Sequence, residues 1–245
     1  MIGAADVGAA LRFLTRLPLP ARGGGAADGA VRFGAAAFPL VGLLLGAAAV
    51  AGDALADALP ETLRNVGILA GWAALTGALH YDALADTLDA LGGRGVPERL
   101  RIMRDGALGS YAVLGLVLVV AGELSALSLL HGETRLRALA VAPAIGRWTM
   151  LLAAFRAPPA RPDGLGAAFA RGLGAAELAA ATATAAAALA LLAGPSGWIA
   201  ALLAAALALG VRRLAVASFG GITGDVLGAA GKLGELVTLG VLASR

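Results

Sequence analysis

The sequence predicts an all-α protein, a polytopic integral membrane helical bundle of about seven transmembrane helices, with six to eight compatible with the pattern. Its amino terminus is expected in the cytoplasm, and residues 1–245 read as a single transmembrane catalytic domain. Three observations carry this. Apolar residues make up 59% of the 245 and charged residues only 14%, against about 45–50% and about 25% in soluble domains. Mean hydropathy is +0.84. The apolar residues fall in runs near the roughly 20 residues that a bilayer-crossing helix needs. The balance argues against a disordered tail, an ordinary cytosolic enzyme and a nucleic-acid partner, and makes membrane lipid the surroundings. With no cysteine, disulfides, thiolate zinc sites and iron–sulfur clusters are excluded. The net charge is 19 − 16 = +3, carried almost wholly by arginine in short clusters between the apolar runs. These clusters read as topology signals, not as a nucleic-acid surface.

Taken in order, Leu11, Phe13, Leu14 and Leu17 interleave with Arg12 and Arg16, as in an interfacial amphipathic segment. Pro18 and Pro20 end it, and Gly23–Gly25 opens a flexible loop. A basic start followed by an apolar core and a small-residue cleavage site is missing, so the segment does not read as a signal peptide. Spans follow at Arg32–Gly52, Asn65–Tyr81, Gly106–Leu130, Leu136–Phe155, Gly174–Gly194, Gly197–Ser218 and Asp225–Ala243. In the first, Gly42 and Gly46 form a small-xxx-small pair suited to helix packing. The sixth carries Arg212 and Arg213, so its membrane part is expected to end near Gly210. The seventh contains Asp225, Lys232 and Glu235 and is the weakest candidate. Arginine is dense in the amino-terminal arm, around Arg94–Arg104, and at Arg156, Arg161 and Arg171, and sparse in the alternate loops. Arginine-rich loops face the cytoplasm, which sets the orientation and puts the motif-rich loops on one side. Composition is also compatible with a homo-oligomer.

The most informative stretch runs from His80 to Gly93. On a helix at about 100° per residue, Asp82, Asp86 and Asp89 lie at about 0°, 40° and −20°. Carboxylates so placed repel one another and invite a cation. Oxygen ligands beside substrate phosphates are what Mg²⁺ prefers, so the three Asp are candidate metal ligands; a solvated helix face is the plain alternative. His80, at about 160°, either serves substrate or caps the preceding span. In the second stretch Arg101 and Arg104 stand one turn apart, followed by Asp105 and Gly106. Such arginines can hold phosphate oxygens with a bidentate fork, and a positive-inside cluster is the alternative. In the third stretch, Thr223 or Asp225 can cap a helix, and the Gly-rich turn ending at Gly224 offers amides to an anion. Asp225 shares a face with Gly228 and Lys232, whereas Glu235 lies about 80° away and is expected to matter less. Arg147, within the fourth span, needs an anionic partner.

These motifs resemble the cobalamin synthase family over nearly the whole chain. The matching residues are Phe13-Leu-Thr-Arg-Leu-Pro18, Phe38-Pro39-Leu-Val-Gly42, His80-Tyr-Asp82 with Asp86 and Asp89, Met103-Arg-Asp105 with Gly109, Gly146-Arg147, and Gly221-Ile-Thr223-Gly224-Asp225 with Gly228-Ala229. Tyr81, Ala83 and Gly231-Lys232 depart from the usual pattern without removing a carboxylate. The resemblance implies a Mg²⁺-dependent enzyme of the bacterial inner membrane with its site facing the cytoplasm. It would join adenosylcobinamide-GDP to α-ribazole, or its phosphate, and release GMP. Asp82, Asp86, Asp89 and Asp225 would be catalytic, the first three as metal ligands and Asp89 or Asp225 as the base. His80, Arg101, Arg104, Asp105, Arg147, Thr223 and Gly224 would bind substrate or phosphate. Without the resemblance, a carboxylate cluster at a membrane edge opposite arginines still suggests metal-assisted phosphoryl transfer, where positioning and charge neutralisation dominate. A lipid enzyme like the CDP-alcohol phosphotransferases, or a secondary transporter, are the competing readings. The clustering of carboxylates at one edge, and not at the midplane, weighs against the transporter.

Overall fold

Apolar runs flanked by Gly, Pro and Arg leave the backbone few options. Inside a bilayer its polar groups must be satisfied within the chain, and a helix does so locally. A computed structural model describes residues 2–19 and 33–244. Among these residues the regular elements are all helical: α1 (Ala4–Leu14), a short 3₁₀ turn, α2 (Phe38–Leu55), α3 (Glu61–Thr76), α4 (Leu79–Leu91), α5 (Gly95–Asp105) and α6 (Ser110–Leu129). They continue with α7 (Gly132–Ala154), α8 (Leu165–Gly172), α9 (Ala175–Ala188), α10 (Gly194–Phe219) and α11 (Gly224–Ala243). Pro20, Arg22, Gly23–Gly25 and Arg32 lie outside the described residues.

Among the described residues five stretches are long and apolar enough to cross a bilayer: Ala35–Leu55, Ser110–Leu129, Gly132–Ala154, Ala175–Phe219 and Gly224–Ala243. The chain is thus a polytopic helical membrane protein, and the stretches differ from the seven expected in two places. Asn65–Tyr81 is not one helix. Gly77 (φ 64°) and Ala78 (φ 56°) both take left-handed backbone, so α3 stops at Thr76 and α4 starts afresh. At about 1.5 Å per residue α3 is about 24 Å long, short of the roughly 30 Å hydrocarbon core. The fifth and sixth expected spans form one helical run, Ala175–Phe219, with a π-helical turn at Leu189–Ala193 and non-helical dihedrals at Gly194 (φ 61°, ψ −155°). The helix itself runs past Gly210, where the membrane part is expected to end. α10 continues to Phe219, and the Arg212 guanidinium donates to the carbonyls of Phe155 (2.8 Å) and Arg156 (2.9 Å). The doubtful seventh span is a full 20-residue helix.

α7 and α11 form the centre, with 72% and 67% of their apolar windows buried, against 28% for α6 and for Ala175–Phe219. The outer helices turn Val113, Leu114, Val117, Leu118, Leu202 and Leu203 outward, as a lipid-facing surface requires. The Gly42 and Gly46 pair does pack a helix: a Cβ at either would collide with the α7 backbone at Ala144 or Ala140. α1 is no free interfacial helix, since Ala9, Ala10 and Leu14 are buried. Phe13, Phe33, Phe38 and Phe169 pack as one aromatic cluster with centroids 5.1–6.3 Å apart. That cluster fixes the Phe13 and Phe38 motifs and α8 against one end of the bundle. At the other end, buried Arg135 clamps α2, α3 and α6, donating to Asp53 (2.9 and 2.8 Å), Asn65 (2.8 Å) and the Leu127 carbonyl (2.9 Å).

Candidate active site

The left-handed pair at Gly77–Ala78 redirects the chain so that α4 lies against α11, burying Ala83, Leu84, Thr87 and Ala90. Gly228 sits at the crossing: a Cβ there would run into Ala83. This close approach brings Asp225, at the amino end of α11, beside the acid face of α4. Burial, together with the carboxylates of Asp82, Asp225 and Asp89, pushes the Asp86 carboxyl up to about 6. Carboxylates from two ends of the sequence therefore feel one another. Asp82 and Asp225 line a single cavity of about 280 Å³, with His80, Thr223, Gly224 and Arg161 in its wall. Asp163, Gly164 and Gly166 close another side. Gly166 is needed because any side chain there would collide with the backbone of Thr223 and Gly224.

The three carboxylates of α4 do not act as one ligand set. Among the described residues no three His, Cys, Asp or Glu side chains converge on a metal-sized point. Asp89 explains why. Its two carboxylate oxygens accept from the amides of Gly109 (2.6 Å) and Ala112 (2.8 Å), capping α6, where a negative charge also meets the helix dipole. Each Asp89 oxygen is thereby engaged by a backbone amide in this arrangement. Asp82 and Asp86 have no hydrogen-bond or ion-pair partner among the described residues.

The basic residues are also redistributed. Arg147 is buried and does have the anionic partner it needs, Glu235, to which it donates, and its second nitrogen lies 3.4 Å from His80 Nδ1. It does not line the cavity, so it supports His80 and is not placed to bind substrate. Glu235, expected to stand apart, is 4% exposed and accepts from Lys232 at 2.8 Å. Lys232 also pairs with Glu123 at 2.7 Å, and Tyr81 donates to Glu123 at 2.7 Å. Two cations and two anions so balance one another inside the bundle, as buried charges must. His80 keeps one face in the cavity wall, and its Nε2 is buried without a partner.

Thr223, in the cavity wall, also caps α11. Its Oγ1 accepts from the Val226 amide and donates to Met103 Sδ, both at 3.2 Å. The anion-cradle expectation for the turn before it is also reduced, because the Gly220 amide bonds the Val216 carbonyl and the Ile222 amide the Pro158 carbonyl. Gly224 is exposed at the cavity. Arg101 and Arg104 lie outside that cavity, on exposed α5. They line a second hollow of about 310 Å³ with Pro97, Leu100 and Arg161. Asp105 lines neither hollow and lies 3.7 Å from Arg101 in an exposed pair.

Sequence reasoning missed the 161–167 segment, which it read only as a positively charged loop. Its one legible signal was the Gly164-Leu-Gly166 pair flanking a short amphipathic helix. It also missed the Tyr81–Glu123–Lys232 chain, whose members lie far apart in sequence.

Bare carboxylates and arginines at one end of an apolar helical bundle define a class: a polytopic helical protein with a charged pocket at one end. Within that class the chain belongs to the cobalamin-5-phosphate synthase family, whose model matches residues 6–243. It is 40% identical to the adenosylcobinamide-GDP ribazoletransferase of Pseudomonas aeruginosa (strain UCBPP-PA14) over 238 residues, 96% of each chain. It is 35% identical to that of Roseiflexus sp. (strain RS-1), covering 97% of this chain and 89% of the relative. The Escherichia coli O17:K52:H18 enzyme is 38% identical, over 94% of this chain and 96% of its own. No solved structure matches the chain.

Proposed function

We propose that this protein catalyses the last assembly step of cobalamin, joining adenosylcobinamide-GDP to α-ribazole or α-ribazole phosphate and releasing GMP. The observation that carries the chemistry is the meeting of Asp82 and Asp225 at one cavity whose wall includes Arg161, with Asp86 close enough behind it to feel both carboxylates. In the reaction a ribazole hydroxyl oxygen bonds to the phosphorus next to cobinamide. The bond from that phosphorus to the bridging oxygen breaks, and the bridging oxygen leaves on GMP.

Mg²⁺ fits the donor set. Asp82 and Asp86 are oxygen ligands without protein partners, and the charge crowding that raises Asp86 is what a cation would relieve. Mg²⁺ is commonly held by one or two carboxylates plus substrate phosphates, so three converging side chains are not required. When bound, the ion neutralises pyrophosphate charge and activates phosphorus as a Lewis acid. The chain's own residues do the rest. Asp82 and Asp86 hold the acidic side of the pyrophosphate site. Asp225, left as the remaining carboxylate once Asp89 caps α6, accepts the hydroxyl proton. His80 lines the same wall and keeps a buried ring nitrogen without a partner. The arginine alternation supports a cytoplasmic position for this end of the bundle, in a bacterial inner membrane.

The test uses the detergent-solubilised full chain with adenosylcobinamide-GDP, α-ribazole and Mg²⁺. GMP release is expected, lost on chelation and reduced about a hundredfold or more in Asp82→Asn, the scale of losing focused transition-state stabilisation. Absence of GMP release from the wild type would overturn the assignment, and full activity in Asp82→Asn would overturn the site.

A further inference from the structure

We infer that Arg161 grips the phosphate of the departing nucleotide, and that the nucleoside 5′-monophosphate half of the substrate lies over α5. The inference rests on the transferase reading above and assigns each half of the substrate a side of the site. Among the described residues Arg161 is the one that lines both hollows, the acidic cavity of Asp82 and Asp225 and the basic hollow of Arg101 and Arg104. One guanidinium nitrogen is anchored on the Leu100 carbonyl at 2.7 Å. Its Nε is buried and has no hydrogen-bond partner, so a donor is left over at the boundary. The charges around it are arranged in opposition: Arg104 repels it and Asp225 and Asp163 attract it.

A pyrophosphate laid across that boundary would have one phosphate among the carboxylates, where the new bond forms. The other would lie against Arg161, Arg104 and Arg101. The second is the phosphate that gains charge as the bridging bond breaks, and arginine is suited to it because its fork donates to two oxygens at once. Pro97 and Leu100 give the basic hollow an apolar floor on which a nucleoside can rest. Arg104 is only loosely paired, at 3.9 Å from Asp163 with both side chains exposed, so it can turn to a phosphate without breaking a buried contact.

The experiment measures GMP affinity by equilibrium dialysis on the solubilised full chain. Alongside it come the KM for adenosylcobinamide-GDP and for α-ribazole. Arg161→Gln should weaken GMP binding and raise the KM for the nucleotide substrate about tenfold or more, in line with the loss of a charged hydrogen bond. The KM for α-ribazole should stay within about twofold, and Arg161→Lys should recover part of the loss. Because Arg161 also anchors α5, Arg101→Gln is run beside it. That residue is exposed and bonded to no backbone, and its loss should weaken GMP binding without lowering the melting temperature. Unchanged GMP affinity in both Gln variants would overturn the inference, as would a selective rise in the α-ribazole KM. If GMP is displaced by vesicles of anionic lipid as readily as by excess GMP, the hollow binds headgroups and the inference fails. Dialysis needs no turnover, so a wild type that binds GMP through Arg161 yet releases none would refute the transferase reading alone.

Discussion

Asp86 shows what crowding does to a single carboxyl. Burial first, and then its neighbours Asp82, Asp225 and Asp89, hold it at about 6, against an ordinary value of 3.8. Between those values the folded protein binds a proton that the unfolded chain has already released. Stability therefore falls as pH rises, because the unfolded state binds fewer protons in that window. The contribution is complete below about 3.8 and gone above about 6. In chelator, the wild-type melting temperature should fall more steeply between pH 4 and pH 7 than that of Asp86→Asn, which carries no such proton. Mg²⁺ added at pH 7 should raise the wild type more than the variant. Parallel melting curves with and without Mg²⁺ would show Asp86 to be free of its neighbours. Asp89, on the same face, differs because its oxygens are held by two amides of α6. The helical wheel placed both correctly on α4, but it treats the helix as if alone. The amides that claim Asp89 arrive from a helix beginning twenty residues later.

The crossing of α4 and α11 converts two separate motifs into one site, and it turns on the absence of one methyl. Gly228 was legible as a family-matching residue on the Asp225 face, with nothing to show what it packs against. Its partner Ala83 stood out only as a departure from the family pattern. Gly228→Ala would force the helices apart while leaving every charge in place. Displacements near 1 Å can cost about a hundredfold in rate, so GMP release should fall by about tenfold to a hundredfold. Ala83→Gly in the same chain should restore much of it by returning the missing space. A Gly228→Ala enzyme with wild-type turnover, or a double variant no better than the single, would show that this contact does not position Asp225. The break before α4 was hidden for a related reason. Ala is the strongest helix former, so an Ala-rich run gave no warning that Gly77 and Ala78 would both turn left-handed.

At the scale of the molecule, hydropathy made the apolar helical bundle and most of its spans legible, because the bilayer constrains the sequence directly. The buried charge network was not legible, since Arg147, Glu235, Lys232 and Glu123 are joined only by the packing of α6, α7 and α11. The loop clustering follows from both. Arg161 binds the Leu100 carbonyl, Arg99 the Ser218 carbonyl at 3.2 Å, and the Ile222 amide the Pro158 carbonyl at 2.9 Å. The three arginine-rich segments around 92–104, 157–172 and 211–224 therefore share one end of the bundle. The Arg135 clamp occupies the other end of α6 and α7. Arginine-rich loops are retained on the cytoplasmic side, so all three segments should be cytoplasmic together. The chain has no cysteine of its own, which makes single-cysteine labelling direct. Cysteines placed at the exposed positions Arg101, Asp163 and Arg213 should resist a membrane-impermeant maleimide in intact cells and react once the inner membrane is opened. A cysteine at exposed Asp57, by the clamp, should react in intact cells whose outer membrane is permeabilised. Labelling of all three arginine-side positions from outside would invert the orientation and leave the shared site intact. Labelling of only one or two would break the shared end itself, and with it the meeting of Asp82, Asp225 and Arg161 on which the proposed transfer depends.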